Sequence, residues 1–463
     1  MSRVSNAFAL TLGVLGALVS GAQSNREVPA PLPLTTTEAI QSLPRVEADL
    51  APRVRIEGVV TFSHPVWRLL FVEDSTGGIY CEPGGLQPLP EVGHRFVVEG
   101  TAGNGAYLLV INVLRVEDRG GGPLPPPAPA TAAELWKGRR DADFIRLSGH
   151  VAAAHFSTNP FPQLTLSMIS GGLPVDVQMV GGLALGLDSL LCAEIEVDGV
   201  FGPRTDAEGR IEGVGVILAS SDQLRVLHDA RSVLAGMPLT PIPALWTNRM
   251  DPDRGMVRIR GVVNVSGTDI LFLGAQGNGI IIDLPRRFEP VARGEELELV
   301  GALDRQTEEM RLRPVRVLSK SPGHLDPATP IAVERLFDWA RYGQVVQVEG
   351  EFLHRIPDPS GELLVMREAG RSYEVKIRYE SGDAMTRLRA GSRIRVSGSL
   401  RLQPSGVKGA PVARILVSTP GDFAVMTPPP WPLTRTLTVV VLLSGGLALG
   451  LLALGVAHRR LQR

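Results

Sequence analysis

One pattern constrains this chain more than any other: a strand of alternating apolar and polar residues that ends in glycine, met four times. VRIEG ends at Gly58, IRLSG at Gly149, VRIRG at Gly261 and VQVEG at Gly350. A second strand of the same kind follows inside each unit, as RFVVEG to Gly100, EIEVDG to Gly199, LELVG to Gly301 and RIRVSG to Gly398. Alternation with period two puts one face of a strand in a core and the other in water, and a repeat of this length makes each unit a supersecondary module. The glycine suits a bulge or sharp coil where a strand bends around a small barrel. A chain of 463 residues is long enough for several such cores. Its 51 Gly and 37 Pro against 5% aromatic residues agree with short strands and many turns.

Proline-rich stretches punctuate the modules at VPAPLP, GPLPPPAPA, PLTPIP, PGHLDPATP and TPPPWP. Such segments favour extended polyproline II and act as semi-rigid spacers, so the modules are expected to be strung out, not packed together. The expected bounds are 35–118, 131–228, 240–320 and 329–420. Between the two glycine strands, module one reads LLFVEDSTGGIYCEP, a hairpin whose turn is Asp74, Ser75, Thr76 and Gly77, and module three has LFLGAQGNGIIIDLP at the matching place. A fifth strand follows, as in YLLVINVLRVE and MRLRPVRVLS, and short helical lead-ins such as TTTEAIQSL, TAAELWKG and AVERLFDWA precede the modules.

Five strands, a glycine bend in the first and a hairpin of the form F-x-x-D-x-T-G-G-I resemble the OB-fold, the small Greek-key barrel of many oligonucleotide and oligosaccharide binders. The expected fold class is therefore mainly β, with four tandem OB-like five-stranded barrels and one C-terminal transmembrane helix. Where that family stacks ligands it uses aromatics on strands two and three, which here implies Trp67, Phe71 and Tyr80. Alternation alone does not say whether Phe71 or its neighbours Leu70 and Val72 point inward, and core packing is the competing account.

The ends set the compartment. Arg3, an apolar run from Ala7 to Val19 and the small residues Ser20 and Ala22 read as a signal peptide over residues 1–22. Thr436 to Ala457 carries no charge over 22 residues, enough at about 1.5 Å per residue to span a bilayer core of about 30 Å. His458, Arg459, Arg460 and Arg463 follow it, so the tail 458–463 is expected in the cytoplasm and the modules outside the inner membrane. Within the span, Gly446 and Gly450 have the spacing that lets two helices approach closely, and a homodimer is one consequence.

Partners and chemistry are less marked. A net charge of −1 gives no general attraction to nucleic acid, and export removes most of it from reach, so nucleic acid is not expected as a partner. One local basic run holds Arg387, Arg389, Arg393, Arg395, Arg401, Lys408 and Arg414 with no acid between Arg387 and Arg414. It reads either as contact with an anionic surface or as the wet face of strands. No catalytic, metal or cofactor motif is expected: His150 and His155 have an odd spacing that puts them on opposite faces of a strand, and Glu73 and Asp74 alternate across a strand end. Cys81 and Cys192 read as two small buried residues, with an inter-module disulfide as the alternative.

Signal peptide, OB-like modules, a single span and an Arg-rich exit, in that order, resemble the sensory half of bacterial membrane sensor histidine kinases. HRRLQR resembles the opening of the helical linker of that family, while the phosphoacceptor helix and the ATP-binding lid are not found. The resemblance implies a binding or sensor ectodomain, without catalytic activity of its own, working with a cytoplasmic signalling partner. A non-switching envelope scaffold holding polysaccharide or protein is the alternative.

Overall fold

The structure is a computed structural model. It describes residues 32–461 apart from 106, 182–185, 248–254, 286–287, 305–308, 359–360, 379–387, 405–410 and 429–432. The expected signal peptide and the last residues of the tail lie outside these.

Module one is a closed barrel of β1 (Arg53–His64), β2 (Leu69–Asp74), β3 (Gly77–Glu82), β4 (His94–Asn104) and β5 (Leu109–Gly121). The strand order is β1-β2-β3-β5-β4, with β4 returning to β1 and with β3 and β5 parallel. Module three repeats it with β13 (Met256–Ser266), β14 (Ile270–Ala275), β15 (Asn278–Asp283), β16 (Glu295–Asp304) and β17 (Arg311–Pro322).

Modules two and four are seven-stranded sheets. Module two contains β6 (Ala128–Pro129), β7 (Phe144–Ser157), β8 (Gln163–Ser170), β9 (Leu173–Val180), β10 (Glu194–Thr205), β11 (Ile211–Leu218) and β12 (Leu224–His228). Module four contains β18 (Thr329–Pro330), β19 (Val345–Asp358), β20 (Gly361–Glu368), β21 (Arg371–Ile377), β22 (Arg393–Gln403), β23 (Val412–Val417) and β24 (Phe423–Thr427). Pairing of β10 with β7 and of β22 with β19 gives each the five-strand circuit of the closed barrels, extended by two short strands. Lead-in helices at Thr37–Gln41, Ala132–Leu135 and Val333–Phe337 precede modules one, two and four.

The repeated glycines are required for room. A Cβ on Gly58 would lie 2.6 Å from the Glu73 carbonyl oxygen, and one on Gly199 or Gly261 would lie 2.7 or 2.8 Å from the oxygens of Ile217 and Gly274. The adjoining strand backbone fills the space that a side chain needs. The bend expected at the first glycine of each module lies just beyond it, in register shifts between Val60 and Phe62, Val151 and Ala153, Val263 and Val265, and Phe352 and His354. An extra residue there lets the strand coil around the barrel.

The shift in β7 also corrects the expected facing of its histidines. Val151 and Ala154 both pack on the module core, so His150 and His155 share the outer face, His150 across from Glu194 and His155 across from Thr165. Cys81 lies in the core of module one and Cys192 between modules two and three, both buried and unbridged, which leaves the disulfide alternative without support. Burial raises both thiols, Cys192 to about 11.

The prolines do not hold the modules apart, contrary to the expectation of a strung-out chain. Phe62 and Phe71 of module one share an apolar cluster with Phe144 and Val200 of module two. A single core runs from Val263 and Phe272 in module three to Phe352 and Ile394 in module four. Burial of apolar surface outweighs the stiffness of spacers that are long enough to fold back. Beyond the last module, the helix Leu433–Leu461 contains Leu437–Arg460, long and apolar enough to cross a membrane.

Inter-module joints and a candidate ligand cleft

The three joints follow one rule. In each, the hairpin between the second and third barrel strands of one module meets the chain entering the first barrel strand of the next. At the joint of modules one and two, the Gly78 amide donates to Asp143 Oδ1 at 2.9 Å. At that of modules three and four, the Gly279 amide donates to the Tyr342 carbonyl at 3.2 Å. Between modules two and three, Gly255 packs against Ile169 and Gly172, where an added Cβ would lie 2.5 Å from Ile169 Cγ2. Ala142 and Gly343, two residues before β7 and β19, both take left-handed backbone conformations, and so does Ala51 before β1. The fourth hairpin is uncovered: Ala369, Gly370, Arg371 and Ser372 are exposed.

The joints differ in how tightly they are packed. Between modules three and four, Tyr342 is fully buried, with ring centroids 4.8 Å from Trp246 and 5.7 Å from Phe272. Beside it, Arg401 grips Glu309 through two bonds of 2.6 and 2.8 Å, and Arg311 adds a third at 2.9 Å. Among the described residues, the apolar cluster at the joint of modules two and three has Cys192, Ala230 and Val300 as its buried members, with partly buried residues such as Met237 and Leu318 around them.

A cleft of about 630 Å³ opens between modules two and three. Trp136, Ile169 and Leu173 line it from module two, and Leu284, Leu303 and Pro314 from module three. The Trp136 indole is held by a bond from Nε1 to the Pro174 carbonyl at 3.0 Å. Among the described residues, each side contributes one arginine at the rim: Arg204, paired with Asp176 at 2.8 Å, and Arg313, paired with Asp304 at 3.5 Å. Both arginine side chains are more than 60% exposed. An apolar floor with a few converging polar groups at a domain boundary is the usual form of a small-molecule site. A wider depression of about 730 Å³, among Pro65, Arg68, Pro88 and Pro90 of module one, is built from the loops of a single module. Among the described residues, no group of three or more His, Cys, Asp or Glu is placed to hold a metal ion.

The aromatics singled out from the sequence lie elsewhere, at the joint of modules one and two. Phe71 faces module two, 7% exposed, while Leu70 and Val72 fill the barrel core. Tyr80 stands opposite Phe71 in the sheet, with ring centroids 5.3 Å apart, and its hydroxyl donates to Glu82 at 2.9 Å. Half-buried Trp67 stacks near His64 at 4.7 Å and reaches Phe161 of module two at 5.4 Å.

Of the basic run, Arg387 and Lys408 lie outside the described residues, and Arg389 is exposed. The others are paired. Arg393 bonds Glu368 at 3.1 Å and Glu349 at 3.3 Å, Arg395 bonds Glu349 at 2.9 Å, and Arg414 bonds Glu374 at 2.8 Å. Bonds from Arg395 and Arg393 hold the Glu349 carboxyl below its ordinary range. The positive excess along the sequence is thus offset in space by Glu309, Glu349, Glu368 and Glu374. Gly446 and Gly450 are exposed on the C-terminal helix.

Closed circuits of five strands, antiparallel except where the third meets the fifth, define a protein of tandem OB-like barrels. No protein-family model and no curated protein matches the sequence. Compared by structure, a murine DNA-binding protein bound with double-stranded DNA is similar, 12% identical over 38% of this chain and 99% of that one, with a TM-score of 0.22. A replication protein A heterotrimer bound to single-stranded DNA is 10% identical, over 87% of this chain and 98% of that one, with a TM-score of 0.21. Fission yeast Pot1 with single-stranded DNA is 11% identical, over 37% of this chain and 83% of that one, with a TM-score of 0.18. The expectation set against nucleic acid rested on net charge and export; these findings, structures that hold DNA, stand against it, and they assign no ligand here.

Proposed function

We propose that the barrels form the binding ectodomain of a membrane-anchored sensor, with residues 436–457 in the bilayer, the modules outside and the tail 458–463 in the cytoplasm beside a signalling partner. The observation that supports this most is the cleft at the least packed of the three joints. Modules three and four share a continuous core, so closure of the cleft on a ligand would turn module two against that pair. A ligand can drive that turn only through a difference in its affinity for the open and closed forms. The rim arginines, their aspartates and the apolar floor suit a small molecule with charged or polar ends and an apolar body. Catalysis is no part of this reading.

Spin labels on the variants Arg204→Cys and Arg313→Cys, combined in one chain, test it by measuring the distance across the cleft. Cys81 and Cys192 are buried and do not compete for label. Two distance populations are expected. One narrow population would favour instead an envelope scaffold whose modules never switch, a reading that the continuous core of modules three and four supports for that half of the molecule.

A further inference from the structure

Where the first barrel meets the second, Glu73 and Asp74 at the end of β2 stand close to Asp143 on the chain entering β7, with Asp141 two residues before it. Two of the bonds across this joint are reciprocal. Glu73 Oε2 accepts from the Phe144 amide at 2.6 Å, and Asp143 Oδ1 accepts from the Gly78 amide at 2.9 Å. Asp74 serves its own module, accepting from the Thr37 amide at 2.8 Å and the Thr76 amide at 2.7 Å. The cluster of Phe62, Phe71, Phe144 and Val200 lies alongside.

The surrounding charges offer these acids little compensation. The charges acting on Glu73 are Asp143 from module two and Asp74 from its own strand, and the one acting on Asp141 is Asp143. Arg139 and Arg140, the cations nearest in sequence, act on Glu134. Arg68 donates to the Leu86 carbonyl, and His64 is held below its ordinary value by burial.

The geometry points to a proton-tightened joint: modules one and two dock firmly while Glu73 and Asp141 are neutral and loosen as these carboxyls ionise. Burial is the first cause. It raises Glu73 to about 7 against the opposing pull of the Phe144 amide, with Asp143 and Asp74 adding to the rise. It also raises Asp141 to about 7, against the bond to the Ala142 backbone and with Asp143 adding. Opened to water, both groups would ionise in the ordinary carboxylate range. Between that range and about 7, the docked form keeps protons that the open form has released, so docking weakens as pH rises through this window and levels off above it. A fall in the acidity of the surroundings would then free module one from module two. This joint is separate from the cleft between modules two and three, so either idea can fail alone.

Hydrogen exchange on the full chain in detergent micelles provides the test, since the Gly78 and Phe144 amides are the donors across the joint. Corrected for intrinsic rates, their protection should fall at least about tenfold from about pH 5 to about pH 7.5. The Glu73→Gln variant keeps an acceptor for Phe144 and does not titrate, and Asp141→Asn removes the other proton site. Each should flatten the profile in part, and the Gly279 amide at the joint of modules three and four should show no such slope. A flat wild-type profile, or a slope unchanged in both variants, would overturn the proposal.

Discussion

The joint between modules three and four and the joint between modules two and three use the same geometric rule, a hairpin tip set against the chain entering the next barrel. Their energetics differ. The first combines a buried tyrosine, a glycine-to-glycine approach and a carboxylate held by two arginines. The second has a small apolar patch beside an open cleft. One architecture thus yields a fixed connection and an adaptable one, depending on what fills the space between a hairpin and the chain entering the next barrel.

The largest expected effect tests the fixed joint. Glu309→Ala would leave Arg401, only 15% exposed, without its carboxylate and deprive Arg311 of one of its two partners. Breaking a buried pair from one side should cost about 3 kcal/mol, read as a lower urea midpoint at unchanged slope. Next come the glycines. A Cβ on Gly279 would lie 2.7 Å from Gly343 Cα, and one on Gly78 would run into the Ala142 carbonyl. Neither backbone can yield cheaply, so Gly279→Ala and Gly78→Ala should each cost about 2 kcal/mol. By contrast, Gly255→Ala meets the Cγ2 methyl of Ile169, a β-branched side chain that yields only with difficulty but is not backbone. It should cost about 1 kcal/mol, and equal losses at all three glycines would erase the distinction between joints. The smallest effect is expected on the outer face of module four, where a double-mutant cycle on Glu349 and Arg395 should show coupling below about 1 kcal/mol, because both side chains are one-third or more exposed.

Much of the barrel was readable in advance. Alternation marked the strands, while the glycines, read as bends, proved to mark places where a side chain has no room. The facing of Phe71 was not readable, because a strand buried on both sides shows no alternation to orient it. The facing of His150 and His155 was misread because an extra residue in β7 shifts the parity, and Ala152 carries no local signal of that. The basic run was readable only as charge. Its neutralisation depends on partners such as Glu309, which lies 92 residues from Arg401 along the chain. Of Glu73 and Asp74, set aside as unable to share a substrate, Glu73 proved to bridge a joint that no short motif announces, while Asp74 ties the lead-in helix to its own barrel.

The sequence by itself determined the mainly β class, the positions of the barrel strands and the apolar helix near the C-terminus, because these follow from local periodicity and length. Only the tertiary structure decided that the modules pack against one another, which joint is densely packed and which carries a cleft, and where the half-buried carboxylates sit. Those outcomes depend on side chains far apart in sequence being brought together and stripped of water, and no residue's immediate neighbours encode that.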